Sequence, residues 1–253
     1  MMTRLYWIMV FALLSVACSS GPPTGGLAGG GDAAGCGGLT NEQELVVNVS
    51  RELVQDGRFH AALANLESLP ENLPSIRLHK ARILRVLGDR KAQGMYRSLL
   101  DTCLAAAGHH GIGQIAAADG RYQEAFEQLR TAAHLTPADA AVRNDLGLIL
   151  MHLGRFSEAR FELITALELN DANPQPLENL LTLLIYQGHW KEAGELVKKR
   201  GLAPEQFQLA EERARKLRLP SLLDEGAAAS GTSGRGVIQY RLQAVEMEAE
   251  DGP

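Results

Sequence analysis

Apolar and small positions repeat along this chain with a fixed long period. GIGQIAAADGRYQEAFEQLRTAAHLTP, from Gly111, aligns without a gap on DLGLILMHLGRFSEARFELITALELND, from Asp145, at an offset of 34 residues. The offset superposes Gly113 on Gly147, Gly120 on Gly154, Tyr122 on Phe156, Ala125 on Ala159, Leu129 on Leu163, Ala132 on Ala166 and Leu135 on Leu169. A third copy continues with Gly188, Trp190, Ala193 and Val197. Within each copy the apolar residues recur at helical spacing on either side of a central glycine, which predicts two helices joined by a tight turn.

Two weaker copies extend the pattern towards the N-terminus. Gly57-Arg58-Phe59 with Ala62 and Leu66 repeats the turn and second helix, behind a first helix at roughly Glu42 to Asp56. Gly88-Asp89 ends another first helix, roughly Ser75 to Leu87, and Met95, Leu99 and Leu100 give its partner an apolar face. After the fifth copy, Phe207, Ala210, Ala214 and Leu217 form one stripe backed by Glu211, Glu212, Arg213 and Lys216, as a terminal cap requires. Pro220 is expected to end that cap.

These are the signature positions of a tetratricopeptide repeat, which the chain resembles. The resemblance implies an all-α solenoid of five helical hairpins, at about residues 43–73, 74–105, 106–139, 140–173 and 174–201, with a cap at 203–219. Gly113 and Gly147 are expected where the two helices of a hairpin come closest.

The ends of the chain have a different character. Leu5 to Ala17 is almost wholly apolar after Arg4, too short for the ~20 residues of a membrane span and suited to an export signal. Leu14-Ser15-Val16-Ala17-Cys18 resembles a bacterial lipobox, which implies cleavage after residue 17 and a lipid on Cys18. Residues 18–40 are glycine-rich and read as a tether with a reach of about 25 Å. Ser19 is not the aspartate of an inner-membrane retention signal, so the outer membrane facing the periplasm is the expected address. The solenoid then occupies 41–219, and 220–253 is a tail in which DEGAAASGTSGRG reads as a linker and VIQYRLQAVEMEAEDGP is denser in apolar residues.

Composition narrows the function classes. A formal charge of −5 gives no basic footprint for nucleic acid. Aromatics at 5% with abundant Leu and Ala favour helices over strands. The chain has three cysteines, and besides Cys18 only Cys36 and Cys103 remain; in an oxidising compartment these two are a candidate disulfide. Neither a nucleophile motif nor a phosphate loop is present. His109 and His110 point about 100° apart on a helix and do not converge on a metal, and His109 sits at a position expected in the core. No enzyme activity, metal, cofactor or small-molecule substrate is expected.

In the repeat register, the first helix of each hairpin lines a groove for an extended or helical peptide. The candidate groove residues are Val47, Arg51 and Val54; Leu78, Arg82 and Arg85; His110, Gln114 and Ala117; Asn144, Leu148, Met151 and His152; and Glu178, Thr182, Ile185 and Tyr186. The arginines at one end suggest a bound segment with an acidic portion. Lipobox, tether and an array containing VRNDLGLILMHLGRFSEAR together resemble the TadD-type lipoproteins of Tad (tight adherence, Flp) pilus assembly. That resemblance implies a pilotin-like adaptor for an outer-membrane secretin or another pilus assembly protein. A lipidated scaffold regulating cell-wall enzymes or other envelope complexes is the alternative. Leu181 and Arg200 depart from the repeat pattern in unit five.

Overall fold

The computed structural model describes residues 38–227, with side chains to residue 217. The lipobox with Cys18, the tether with Cys36 and the tail from residue 228 lie outside the described residues. Eleven helices and no strand are present among the described residues. Ten of them form five hairpins. The first, or A, helices are α1 (Asn41–Gln55), α3 (Pro74–Val86), α5 (Ala105–Ala118), α7 (Ala140–His152) and α9 (Pro174–Tyr186). The second, or B, helices are α2 (Phe59–Leu66), α4 (Lys91–Arg97), α6 (Tyr122–Leu135), α8 (Phe156–Leu169) and α10 (Trp190–Arg200). α11 (Pro204–Ala227) packs on α9, where the A helix of a sixth unit would lie.

Each hairpin turns in the same way. Gly57, Gly88, Gly120, Gly154 and Gly188 have φ between 71° and 78°, the left-handed conformation that costs a side-chain-bearing residue most. The amide of the following residue reaches back to a carbonyl of the A helix: Arg121 to Ala116 at 2.8 Å, Arg155 to Leu150 at 2.9 Å, His189 to Leu184 at 2.8 Å. This closes the helix end and aims the chain into the B helix. At the other end, Asp139 accepts bonds from the Ala141 and Val142 amides to start α7, and Asn173 accepts from Gln175 to start α9. Thr40 and Gln43 form a reciprocal capping box on α1.

The hairpins close on small residues. A Cβ on Gly113 would lie 2.8 Å from Leu129 Cγ, and one on Gly147 would lie 2.8 Å from Leu163 Cγ, so the expected close approach is present in both units. Ala125, Ala159 and Ala193 are fully buried where B helices meet A helices. Unit two solves the same problem differently. Tyr96 on α4 is 1% exposed and its ring lies against Gly111 of the next A helix, where a Cβ would come within 2.2 Å of the ring. A glycine thus replaces side-chain volume to admit a large ring from the neighbouring unit.

α11 departs from the expected cap in length. It continues through Pro220 to Ala227 instead of ending at residue 219. A proline within a helix removes one hydrogen bond and bends the axis, but it need not end a helix held on both sides by good helix formers such as Leu219, Leu222 and Leu223. The apolar stripe does pack as expected: Ala210 and Ala214 are buried in the cluster of α7, α8 and α9, with Phe207 and Leu217 against it.

Gly111→Ala is expected to destabilise the protein by about 2–3 kcal/mol through overpacking against the buried Tyr96 ring, although helix propensity alone favours alanine by about 1 kcal/mol. Gly113→Ala meets the more adaptable Leu129 side chain and should cost less. Urea unfolding followed by circular dichroism checks the order; equal or reversed losses would contradict this packing.

Candidate functional site: the A-helix face

Successive A helices touch one another, and polar side chains tie them together at a regular step. His110 on α5 faces Asp145 on α7, Asn144 on α7 faces Asn179 on α9, and Glu178 on α9 faces Arg213 on α11. Each pair is separated by 35 residues, one more than the repeat. His110 Nε2 and Gln114 Nε2 lie 2.8 and 2.9 Å from the same oxygen of Asp145, and Asn144 Nδ2 donates to the other oxygen at 3.4 Å. Asn179 Nδ2 donates to Asn144 Oδ1 at 2.9 Å, and Arg213 donates to Glu178 at 2.8 Å. The result is a connected polar seam across α5, α7 and α9, extended to α11 by an ion pair.

Asp145 is the centre of that seam. Burial pushes its carboxyl up, but the hydrogen bond and charge of His110, the Gln114 amide and the attraction of Arg85 outweigh burial and hold it below the usual carboxylate range. An ionised carboxylate only accepts, so His110 Nε2 carries the proton between them. The buried charge is therefore satisfied on both oxygens, the condition under which such groups stabilise rather than disrupt.

Aromatic pairs form a second seam. Tyr122, at the start of α6, stacks on His152 at the end of α7, with ring centroids 4.4 Å apart. One repeat later Phe156 meets Tyr186 at 5.1 Å. Burial pushes the His152 imidazole down to about 4, so it is neutral at physiological pH.

The sequence-predicted groove residues therefore divide. Val47, Val54, Leu78, Met151 and Ile185 belong to the buried apolar clusters, and Gln114, Asn144 and Thr182 are buried polar groups. His152 and Tyr186 are engaged in the aromatic pairs, and Glu178 is paired to the cap. Arg51, Arg82, Arg85, His110, Ala117 and Leu148 keep partial exposure on the A helices. Gln114, Ala117, Ala118, Leu129, Asp145, Leu148 and Ile149 line a small hollow between α5, α6 and α7. His109 packs towards α6, its Nδ1 2.8 Å from Gln128 Oε1, and is part-buried beside this polar partner instead of in the core position expected for it.

Repeat register does not reveal the polar seam. Its only trace in the chain is that residues 110 and 145, 144 and 179, and 178 and 213 are all polar at a spacing one residue longer than the repeat. Cys103, exposed between α4 and α5, is disulfide-bonded, and its partner lies outside the described residues. Among the described residues no group of three or more His, Cys, Asp or Glu is placed to hold a metal ion. No described helix is long and apolar enough to cross a membrane.

Comparison with known proteins agrees with this geometry. Residues 116–184 match the tetratricopeptide repeat family. The fold is a tetratricopeptide solenoid. The thermophilic TPR protein TTC0263 of Thermus thermophilus superposes with a TM-score of 0.55 at 22% identity, over 70% of this chain and 99% of its own. MamA of Desulfovibrio magneticus RS-1, from residue 41 to its end, gives 0.50 at 18% identity over 69% of this chain and 99% of its own. Both likenesses concern the fold. In sequence, the TPR repeat-containing protein PA4299 of Pseudomonas aeruginosa is 47% identical over 108 residues. That match spans 43% of this chain and 44% of the relative, less than half of either. A tetratricopeptide solenoid is a protein-interaction scaffold, and protein binding is the function class that this fold supports.

His152 fixes a pH dependence. Its imidazole is depressed in the folded protein, so the unfolded chain takes up the proton first as pH falls below about 6.5. Folding stability should therefore drop between pH 6.5 and about 4, by roughly 2–3 kcal/mol from this group. His152→Phe keeps a ring against Tyr122 and removes the titration. Urea unfolding at pH 7.5 and pH 5 should show a smaller loss in the variant than in the parent; equal losses would place the titration elsewhere.

Proposed function

We propose that this protein is a lipid-anchored adaptor of the outer membrane that holds a segment of a protein partner on its A-helix face, most specifically a pilotin-like factor for a secretin of Tad pilus assembly. The observation that carries the reading is an A-helix face that is basic at unit two, through Arg82 and Arg85, and apolar at unit four, through Leu148. Such a face suits an amphipathic segment with an acidic portion. The lipobox at Cys18 and the glycine-rich tether support a membrane address with reach into the periplasm. The resemblance of lipobox, tether and array to TadD-type lipoproteins supports the choice of a secretin as partner.

Leu148 is a better probe of this surface than Met151, which is 5% exposed and would place a new charge in the core. Arg82→Glu and Leu148→Glu should each weaken partner binding about 10-fold or more while circular dichroism stays unchanged. In cells, deletion should abolish heat-resistant secretin multimers in the outer-membrane fraction, and Cys18→Ala should leave them reduced or mislocalised. Unchanged multimers in both strains would overturn the secretin reading and favour a scaffold for other envelope complexes.

A lipidated Cys18 has no thiol left to pair, so we assign Cys36 as the disulfide partner of Cys103. Peptide mapping by mass spectrometry without reduction should yield one cross-linked species joining the peptides of residues 36 and 103. A free Cys36 in the mature protein would refute the assignment.

A further inference from the structure

Basic charge is concentrated in one unit of the array. Residues 74–105 carry seven Lys and Arg against two acidic residues, Asp89 and Asp101, in a chain of net charge −5. Lys80 is paired with Glu71, at 2.9 Å, and Arg85 Nε donates to the Tyr96 hydroxyl at 3.4 Å; Arg82 and Arg85 are both part-exposed on the A-helix face. Further along that face the character changes to the apolar and small surface of Ala117 and Leu148 beside the hollow between α5 and α7. The last described helix, α11, packs beside α9 at the opposite end of the same row of A helices.

The chain beyond α11 has the complementary order. In Val237-Ile238-Gln239-Tyr240-Arg241-Leu242-Gln243-Ala244-Val245, Ile238, Tyr240, Leu242 and Ala244 alternate with polar residues, the pattern of an extended segment with one apolar edge. Glu246, Glu248, Glu250 and Asp251 follow, a dense acidic run. Leaving α11, the chain would thus meet the apolar part of the face first and the arginines second.

Length permits the match. From Ala227 to Glu246 an extended chain spans roughly 60 Å at ~3.3 Å per residue. The four helix steps from α11 back to α3 cover about 40 Å at ~10 Å each. The linker therefore has slack, and tethering raises the effective concentration of the segment into the millimolar range.

We propose that residues 237–251 occupy the A-helix face in cis, with Ile238, Tyr240 and Leu242 against the surface of α5 and α7 and the acidic run at Arg82 and Arg85. The segment acts as a built-in competitor that a partner must displace. This rests on the reading of the A-helix face as a peptide groove, but not on the identity of the partner.

The test uses the full-length chain with Tyr240 replaced by the photo-crosslinking residue p-benzoyl-phenylalanine. Irradiation of the monomer should give intramolecular adducts mapping to peptides of α5 and α7. Arg82→Glu with Arg85→Glu should lower their yield about 10-fold, and adding Glu246→Lys, Glu248→Lys, Glu250→Lys and Asp251→Lys should restore it. Circular dichroism and thermal unfolding confirm that each variant remains folded. Adducts spread over B helices, or a yield indifferent to the charge reversals, would overturn the proposal. Adducts joining two chains would place a second copy on the face and overturn the cis arrangement. Secretin loss without cis adducts would remove this inference alone; cis adducts with unchanged secretin would remove the secretin reading alone.

Discussion

The left-handed turn at the end of each A helix is the constraint on which the array depends. Once Gly57, Gly88, Gly120, Gly154 and Gly188 reverse the chain with nearly the same dihedral angle, each B helix has to return along its A helix at a fixed register. That register brings the Gly113 and Gly147 backbones against leucine side chains and leaves no room for a Cβ. The close contact then fixes where the next A helix begins. Five similar turns thus produce a repeating step, and the repeating step produces a continuous face.

A step alone would leave neighbouring A helices free to slide, since apolar contact is not directional. Direction comes from the seams. Asp145 holds groups from α5 and α7 at both oxygens, Asn144 passes the connection to α9, and Glu178 passes it to α11. A slip of α5 against α7 would leave the buried Asp145 charge without its partners, which is costly in a low-dielectric interior. The aromatic pairs Tyr122–His152 and Phe156–Tyr186 repeat the same restraint with shape instead of charge. The face offered to a partner is therefore one whose geometry is set before binding, which lowers the ordering cost of association.

How far the candidate site was legible depends on the kind of residue. Arg82, Arg85 and Leu148 are placed on the A-helix face by register alone, and the structure leaves them partly exposed there. Met151 and Ile185 share that register but are buried, because an A helix turns two edges towards its neighbours and register cannot weigh how closely those neighbours approach. The contact of Tyr96 with Gly111 escapes a reading by repeats, because unit two is shortened and the contact runs to the next unit, outside any single repeat.

The chain by itself determined the helical hairpins, their number, the glycine turns and the cap stripe, because each depends on spacing within about one repeat and on conformational preferences carried by single residues. Tertiary structure decided which polar groups meet across 35 residues, which predicted groove residues are buried, and that α11 runs on past Pro220. Those outcomes depend on distances between helices from different units, and the periodicity of one sequence holds no record of distance.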